Sequence, residues 1–507
     1  MRIQSLPTEV LAHVFEFGTA SPENESGQDD FPFLVSLVCK AWHTLALATP
    51  TLWNTLVIAD SDLPPIQKLK THLTRSKSAP LNLYLDFSTR AEPDRVEQVM
   101  KLLVPQLERW RHLVIVVPAF DVMYTAVQMI ADAFLSSQAG AGRLEVLRLY
   151  GPPEFDPSQP EPRDLPAPIP LASTHNSTPR LRDVVLCGIP VDWSTFLPTT
   201  STLERLQLSL HSGSRRPLFA HFARLITSSP NLHTLILNAS GPALPASPHE
   251  STRVQLDHLR SLTLDCFDPE YVESLLKRIS TPALETLALA DAVGESSRVF
   301  EVLAAGRSGT GVVRTDNIGR SFIHSHTHTH TQPNLPSSSS STSVDSESSS
   351  SSVFPRLTTL KISSVECTPA SFRQLVRGLP NLTNVKLDAR DADPTILDTM
   401  AESDESDTES DVVDEMERIC PQLQTVTCTG VPGSSIKEFV EKRIKGKVPV
   451  RTVRVCVASE EGAEEDGRNW LSAADREWLE KHVQLEFFDE DEDEEIDGGA
   501  WWSTWDA

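Results

Sequence analysis

The sequence predicts an α/β chain: a short helical module at the N-terminus, then an irregular solenoid of strand–helix units with disordered insertions. Three observations predict it. A unit of the form Leu-x-x-Leu-x-Leu, with conservative swaps, recurs from Leu144 to Val455. A proline stands two residues before the first Leu at Pro179, Pro230, Pro282, Pro355, Pro380 and Pro421. Ahead of the units lie two amphipathic stretches, too short to be stable helices alone.

The first stretch is Leu6-Pro7-Thr8-Glu9-Val10-Leu11, then Val14-Phe15. Pro7 suits a first helical turn, where its missing N–H would have no intrahelical partner. Val10/Val14 and Leu11/Phe15 recur at i, i+4 and predict one apolar stripe. The second stretch places Leu34, Val38, Trp42 and Leu45 on one helical face. It runs on through Leu45-Ala46-Leu47-Ala48-Thr49-Pro50-Thr51-Leu52-Trp53. Glu16–Phe33 between them is polar and reads as a loop. Periodicity alone equally allows an ordinary helical hairpin packed on the domain behind it. The residue order, however, resembles an F-box over residues 1–58, with a longer loop than that family usually has. In that family the module is a helical plug that docks on the Skp-type adaptor of a cullin ubiquitin ligase. The resemblance implies that Leu6, Pro7, Val10, Leu11, Val14, Phe15, Leu34, Val38 and Trp42 build or support the adaptor-facing surface. It also implies a chain that performs no chemistry itself.

Along the body, units begin at Leu144, Leu181, Leu203, Leu232, Leu259, Leu284, Leu357, Leu382, Leu423 and Val450. From 181 the starts step by 22, 29, 27 and 25 residues; after a gap of 73 they step by 25, 41 and 27. Helical patterns precede several of the prolines, at Leu218–Thr227, Glu270–Ile279 and Ser371–Gly378. Each unit thus reads helix, Pro-marked turn, short strand with Leu inward and polar residues outward. Such a unit buries its strand only by stacking on neighbours. The spacing and unit resemble the leucine-rich-repeat family. That family's Asn or Cys at the ninth place is replaced here by His211, Ser240, Phe267, Ala292, Val365 and Arg390, so its polar ladder is expected to be absent or replaced. A plain α/β layer with a parallel sheet is the alternative fold. Lys77–Phe87 should supply a first strand, Arg95–Arg111 a long helix and Leu113–Val117 another strand.

This divides the chain into the 1–58 module, repeats at 59–302, an insertion at 303–353, repeats at 354–390, an acidic insertion at 391–415, terminal repeats at 416–488 and a tail at 489–507. Ser337–Ser352 holds twelve Ser in sixteen residues, too polar to offset its ordering entropy. The net charge of −25 belongs almost wholly to two segments, Asp391–Glu415 and Glu460–Asp497. The folded body has no basic stripe, which argues against a nucleic-acid surface. Seven cysteines, 39, 187, 266, 367, 420, 428 and 456, are scattered singly, as in a reducing compartment. Glu9 interrupts any secretory start, and the strongly apolar run Leu113–Val117 is too short to span a membrane. A soluble cytoplasmic or nuclear protein is expected.

Motifs for chemistry are weak. His324, His326, His328 and His330 alternate with Ser and Thr but lack a fixed geometry for a metal. Gly306-Arg-Ser-Gly309-Thr-Gly311 lacks the ending of a phosphate loop. No hydrolase or metalloprotease signature occurs, so neither catalytic nor metal residues nor a cofactor are assigned. Ser403, Ser406, Thr408 and Ser410 sit among acids, as in substrates of acid-directed kinases. Lys442-Arg443-Ile444-Lys445 resembles a short nuclear-import element but reads better as a solvated basic face of a helix. Trp501, Trp502 and Trp505 suit a docking or capping tail.

The expected function is a substrate receptor of an SCF-type ubiquitin ligase, with the adaptor and cullin core as partners, an unknown protein as substrate, and no nucleic acid or membrane. A scaffold outside any ligase is the alternative. The outward third and fifth places of the units would meet the substrate: Val146, Arg148, Arg205, Gln207, Thr234, Ile236, Ser261, Thr263, Thr359, Lys361, Asn384 and Lys386.

Overall fold

A computed structural model describes residues 6–19, 31–59, 65–87, 93–117, 119–136, 141–151, 180–194, 202–245, 253–305, 354–388, 395–401, 419–456 and 471–488. Three helices open the chain: α1 (Thr8–Thr19), α2 (Phe31–Val38) and α3 (Lys40–Ala48), followed by a 3₁₀ turn at Pro50–Trp53. The body then alternates strands and helices. Its first part holds β1 (Thr55–Ala59), α4 (Pro65–Arg75), β2 (Leu81–Asp86), α5 (Pro93–Leu103), β3 (Trp110–Val116), α6 (Phe120–Ser136) and β4 (Val146–Tyr150). The middle holds β5 (Asp183–Cys187), β6 (Arg205–Ser209), α7 (Phe219–Thr227), β7 (Thr234–Asn238), β8 (Val254–Gln255), β9 (Ser261–Asp265), α8 (Pro269–Leu276), β10 (Ile279–Ser280), β11 (Thr286–Ala290) and α9 (Ser297–Ala305). The last part holds β12 (Thr359–Ser363), α10 (Pro369–Arg377), β13 (Asn384–Asp388), α11 (Thr395–Ala401), β14 (Thr425–Thr429), α12 (Gly433–Lys445), β15 (Thr452–Cys456), α13 (Ala473–His482) and β16 (Gln484–Phe488).

Every strand except β8 and β10, which pair with each other, lies in one parallel sheet of 14 strands in chain order. The architecture is that of a leucine-rich-repeat-like solenoid. Each unit places its fourth and sixth residues inward: Leu206 and Leu208 of β6 are buried, and so are Leu262 and Leu264 of β9. The first Leu is buried just ahead of the strand. One continuous core runs from Leu56 to Val483, closed by apolar faces of the helices, such as Phe372, Leu375 and Val376 of α10.

The prolines have a specific place. Ser229, Thr281, Phe354, Leu379 and Cys420 each accept from the N–H three residues on, at 3.1–3.3 Å, with Pro between as the second turn residue. This is a β-turn with Pro where its fixed φ fits. Two helices add their own start signals. Asp268 accepts from Glu270 N ahead of Pro269, and Thr368 accepts from Ser371 N ahead of Pro369, the N-cap followed by Pro in the first turn.

At the far end of many strands the chain turns left-handed. Leu210, Ala239, Cys266, Asp291 and Ser364 have φ of 44–53°, and Gly188 and Gly430 take the same role. A side chain there costs about 1–2 kcal/mol. The strain persists because each N–H still joins the ladder: Leu210 donates to Asn238 O at 2.9 Å and Ala239 to Asp265 O at 2.9 Å.

Of the ninth places, Ala292 is half-buried against the core and Arg390 lies outside the described residues. His211, Ser240, Phe267 and Val365 are buried, so apolar packing replaces most of the polar ladder. One rung survives, His211 Nδ1 to Ser240 Oγ at 2.9 Å. Burial pulls the His211 imidazole down to about 4, although Nε2 faces the Ile189 carbonyl without a hydrogen bond of full geometry. The unfolded chain then protonates first. Stability should be whole above pH ~6.5 and fall by about 1.4 kcal/mol per pH unit toward pH ~4. Urea titrations at pH 7.0 and 5.5 should show this loss in the parent and a flatter profile in His211→Asn.

The structure corrects several expectations. The long helix over Arg95–Arg111 ends at Leu103; Val104–Arg109 is a 3₁₀ turn and Trp110 already begins β3. Pro105 stands at the start of that turn, where it removes an i−4 hydrogen bond. The segment 391–415 contains α11, whose Ile396, Leu397 and Met400 are buried; the apolar side chains precede most of the acids. The sheet begins at Thr55, inside the 1–58 module. The second N-terminal stretch is two helices, because Cys39 is extended (φ −162°, ψ 166°). Lys442–Lys445 is not a solvated basic face. Arg443 is 2% exposed; its Nη1 donates to Ile419 O at 2.7 Å and Met400 O at 3.3 Å, and its Nη2 to Cys420 O at 2.9 Å. Lys442 pairs with Asp398 and Glu438.

Candidate docking surfaces

The N-terminal helices are amphipathic twice over. Inward, Leu11, Phe15, Val35, Ala46, Leu52 and Trp53 form a small separate core. The Phe15 and Trp42 rings meet edge-on at 4.9 Å. Trp53 Nε1 donates to Ala46 O at 2.8 Å, tying the 3₁₀ turn to α3, and Leu11 N donates to Pro7 O at 3.0 Å. Outward, α1 presents Val10, Val14 and Phe17 at i, i+4 and i+7, and α2 presents Leu34, Leu37 and Val38. Phe17 is 82% exposed and Leu37 80%. Contiguous exposed apolar patches of this kind are uncommon on soluble proteins.

The nine residues expected at this surface therefore separate. Pro7, Val10, Val14, Leu34 and Val38 are exposed, Leu6 and Trp42 are half-buried, and Leu11 and Phe15 are interior supports. The Val10/Val14 and Leu11/Phe15 pairs lie on different faces, one residue's rotation apart, the first exposed and the second buried. Phe17 and Leu37 were missed; extending the period from Val14 and Leu34 by three residues would have found both.

The helical module is anchored to the sheet by an aromatic joint. Phe33 meets Trp53 at 5.1 Å and His72 at 5.6 Å, and the Arg75 guanidinium lies 4.2 Å over Trp53. His72 Nδ1 lies 3.2 Å from Trp53 O, and Asn82 N donates to Asn54 O at 2.9 Å.

The second surface is the outward face of the sheet, open along much of its length but buried at Val185 and Thr427. Parallel register puts Val146, Arg205, Thr234, Ser261, Thr359 and Asn384 in one row with Asp183 and Thr286. It puts Arg148, Gln207, Ile236, Thr263, Lys361 and Lys386 in the next row, with Val185 and Ala288. Asn384 is exposed and the rest of the twelve are half-buried. Asp183 was overlooked although it holds the same unit place as Arg205. It accepts from Arg148 Nη2 at 2.6 Å.

Asp265, Cys266 and Asp291 bring donor atoms within 4.8 Å of one another at the strand ends. Burial and both carboxylates push the Cys266 thiol up to about 12, so without a bound cation it stays protonated near neutral pH. The His324–His330 tract, Gly306–Gly311, Ser337–Ser352, Ser403–Asp411 and the terminal tryptophans lie outside the described residues.

Residues 3–59 match the F-box-like family. The F-box-like domain thus spans the three helices, the aromatic joint's Phe33 and Trp53, and β1. No curated protein matches the chain. Among solved structures, a chain of the yeast Rad7–Elc1 complex is similar over 94% of this chain and 92% of its own, at 12% identity and a TM-score of 0.33. A chain of the TLR13–ssRNA13 complex is similar over 74% of this chain and 46% of its own, at 10% identity and a TM-score of 0.27. A leucine-rich-repeat protein of Leptospira interrogans covers 87% of this chain and 91% of its own length, at 14% identity and a TM-score of 0.26. Among the described residues, no helix is long and apolar enough to cross a membrane.

Proposed function

We propose that this chain is a non-catalytic substrate receptor of an SCF-type ubiquitin ligase. The F-box-like domain would bind a Skp-type adaptor and, through it, a cullin; the open face of the sheet would hold a protein substrate. The observation that carries the reading is the outward apolar face of α1 and α2, set over a complete core within the F-box-like residues. The domain's interior is already satisfied, so this face is available to a partner. Activity would come from proximity: a bound substrate meets a ubiquitin-charged enzyme at raised effective concentration. The aromatic joint supports this, since it holds the adaptor face in a set orientation to the sheet. A tagged chain should capture both adaptor and cullin from cells. Adaptor without cullin would favour a scaffold outside any ligase, and capture of neither would overturn the proposal.

A further inference from the structure

We propose that the substrate site is centred on Arg148 and Arg205, and that it takes an anionic side chain of a bound polypeptide, a phosphoryl group or a carboxylate. This rests on the reading of the open face as the substrate surface. Three adjacent strands build the site. Register sets Asp183 of β5 beside Val146 of β4 and Arg205 of β6, with Arg148 and Gln207 one place further on.

Two guanidiniums flank one carboxylate, which bonds only the first. Asp183 Oδ2 accepts from Arg148 Nη2 at 2.6 Å, while Arg205 Nη2 finds only the neutral Gln207 Oε1, at 2.7 Å. The Nε atoms of both arginines are buried without a hydrogen-bond partner, and so is Asp183 Oδ1. A guanidinium presents Nε and Nη as a planar fork that matches a carboxylate or phosphate edge. Here the forks are half out of water and incompletely used, which costs free energy until an acceptor arrives.

Electrostatics agree. Burial pulls Arg205 below its ordinary value, with Arg148 adding to the fall and Asp183 opposing it. Arg148 is pulled down by burial too, but the Asp183 hydrogen bond and charge more than offset that. Tyr150, which feels both guanidiniums, is held up by burial and keeps its hydroxyl proton as a further donor. The other charges nearby are already paired, Arg111 with Glu145 and Arg182 with Glu204. A compact site with one excess positive charge suits a single anionic group. A nucleic-acid strand would need a stripe of cations.

The test uses the full chain and three degenerate 13-residue peptide pools whose central residue is phosphoserine, Glu or Ser. The parent should retain one anionic pool at least tenfold over the Ser pool. Arg205→Gln should cut that retention about tenfold and Arg205→Lys less, with adaptor capture and melting temperature unchanged. Preference for phosphoserine or for Glu identifies the source of the anion. Equal retention of all three pools would overturn the anionic inference and leave the open face as a protein surface. Retention of none, or Arg205-dependent binding of a dT20 oligonucleotide in their place, would overturn both the inference and the reading of that face. A normal adaptor capture in the same protein shows that the docking reading stands apart from either failure.

Discussion

Replacing Phe17 and Leu37 together by Asp is expected to weaken capture of a Skp-type adaptor by at least about a hundredfold, with no change in melting temperature. Exposed anchors of this size commonly carry about 2 kcal/mol each at an interface, and an unpaired carboxylate buried in their place adds its desolvation cost. The fold should not notice, because both side chains are solvent-exposed in the free chain. Phe15→Ala provides the contrast. Its ring is 1% exposed within the small core, and its loss should destabilise the domain by about 3–5 kcal/mol. Isothermal titration with purified adaptor, beside thermal melting of each variant, separates the two effects. Unchanged affinity in a folded Phe17→Asp/Leu37→Asp protein would place the docking surface elsewhere.

Arg443→Ala should be among the most damaging single changes in the solenoid. Its guanidinium binds three main-chain carbonyls, Met400 on one side of the acidic segment 402–418, and Ile419 and Cys420 on the other. It therefore ties Met400 at the end of α11 to Ile419 and Cys420 ahead of β14. Removing it takes the guanidinium donor from the Met400 and Ile419 carbonyls, each worth about 1–3 kcal/mol, while Cys420 O keeps the Leu423 N–H, so a total of roughly 3–5 kcal/mol is expected after relaxation. Arg443→Lys should recover only part, since an ammonium cannot reproduce the planar fork. A solenoid is a stack of neighbours, so the loss should be local first. Hydrogen exchange should accelerate in α11, α12 and β14 while β2–β4 stay protected. A loss below ~1 kcal/mol would show that water replaces the clamp.

The strands were the most legible elements because their signal is local. Leu206 and Leu208, or Leu262 and Leu264, alternate with polar neighbours, and a period of two needs no knowledge of what lies beneath. The prolines were legible for the same reason: each restricts its own φ. Helices such as α4 and α6 were not read, since no repeat unit marks them. Position 443 was misread because a basic run looks the same whether it faces water or three carbonyls. The two faces of α1 were merged because Val10/Val14 and Leu11/Phe15 share a spacing and differ only by one residue's rotation.

By itself the sequence determined the repeat unit, its stacking and the identity of the N-terminal module, all of which rest on periodicity and residue order. Only the tertiary structure decided which apolar residues of that module face water. It also decided that Arg148, Asp183 and Arg205 meet and that Arg443 is a clamp. Those facts depend on residues 22 to 57 positions apart in the chain being brought together by strand register and helix packing, and no local pattern encodes that distance.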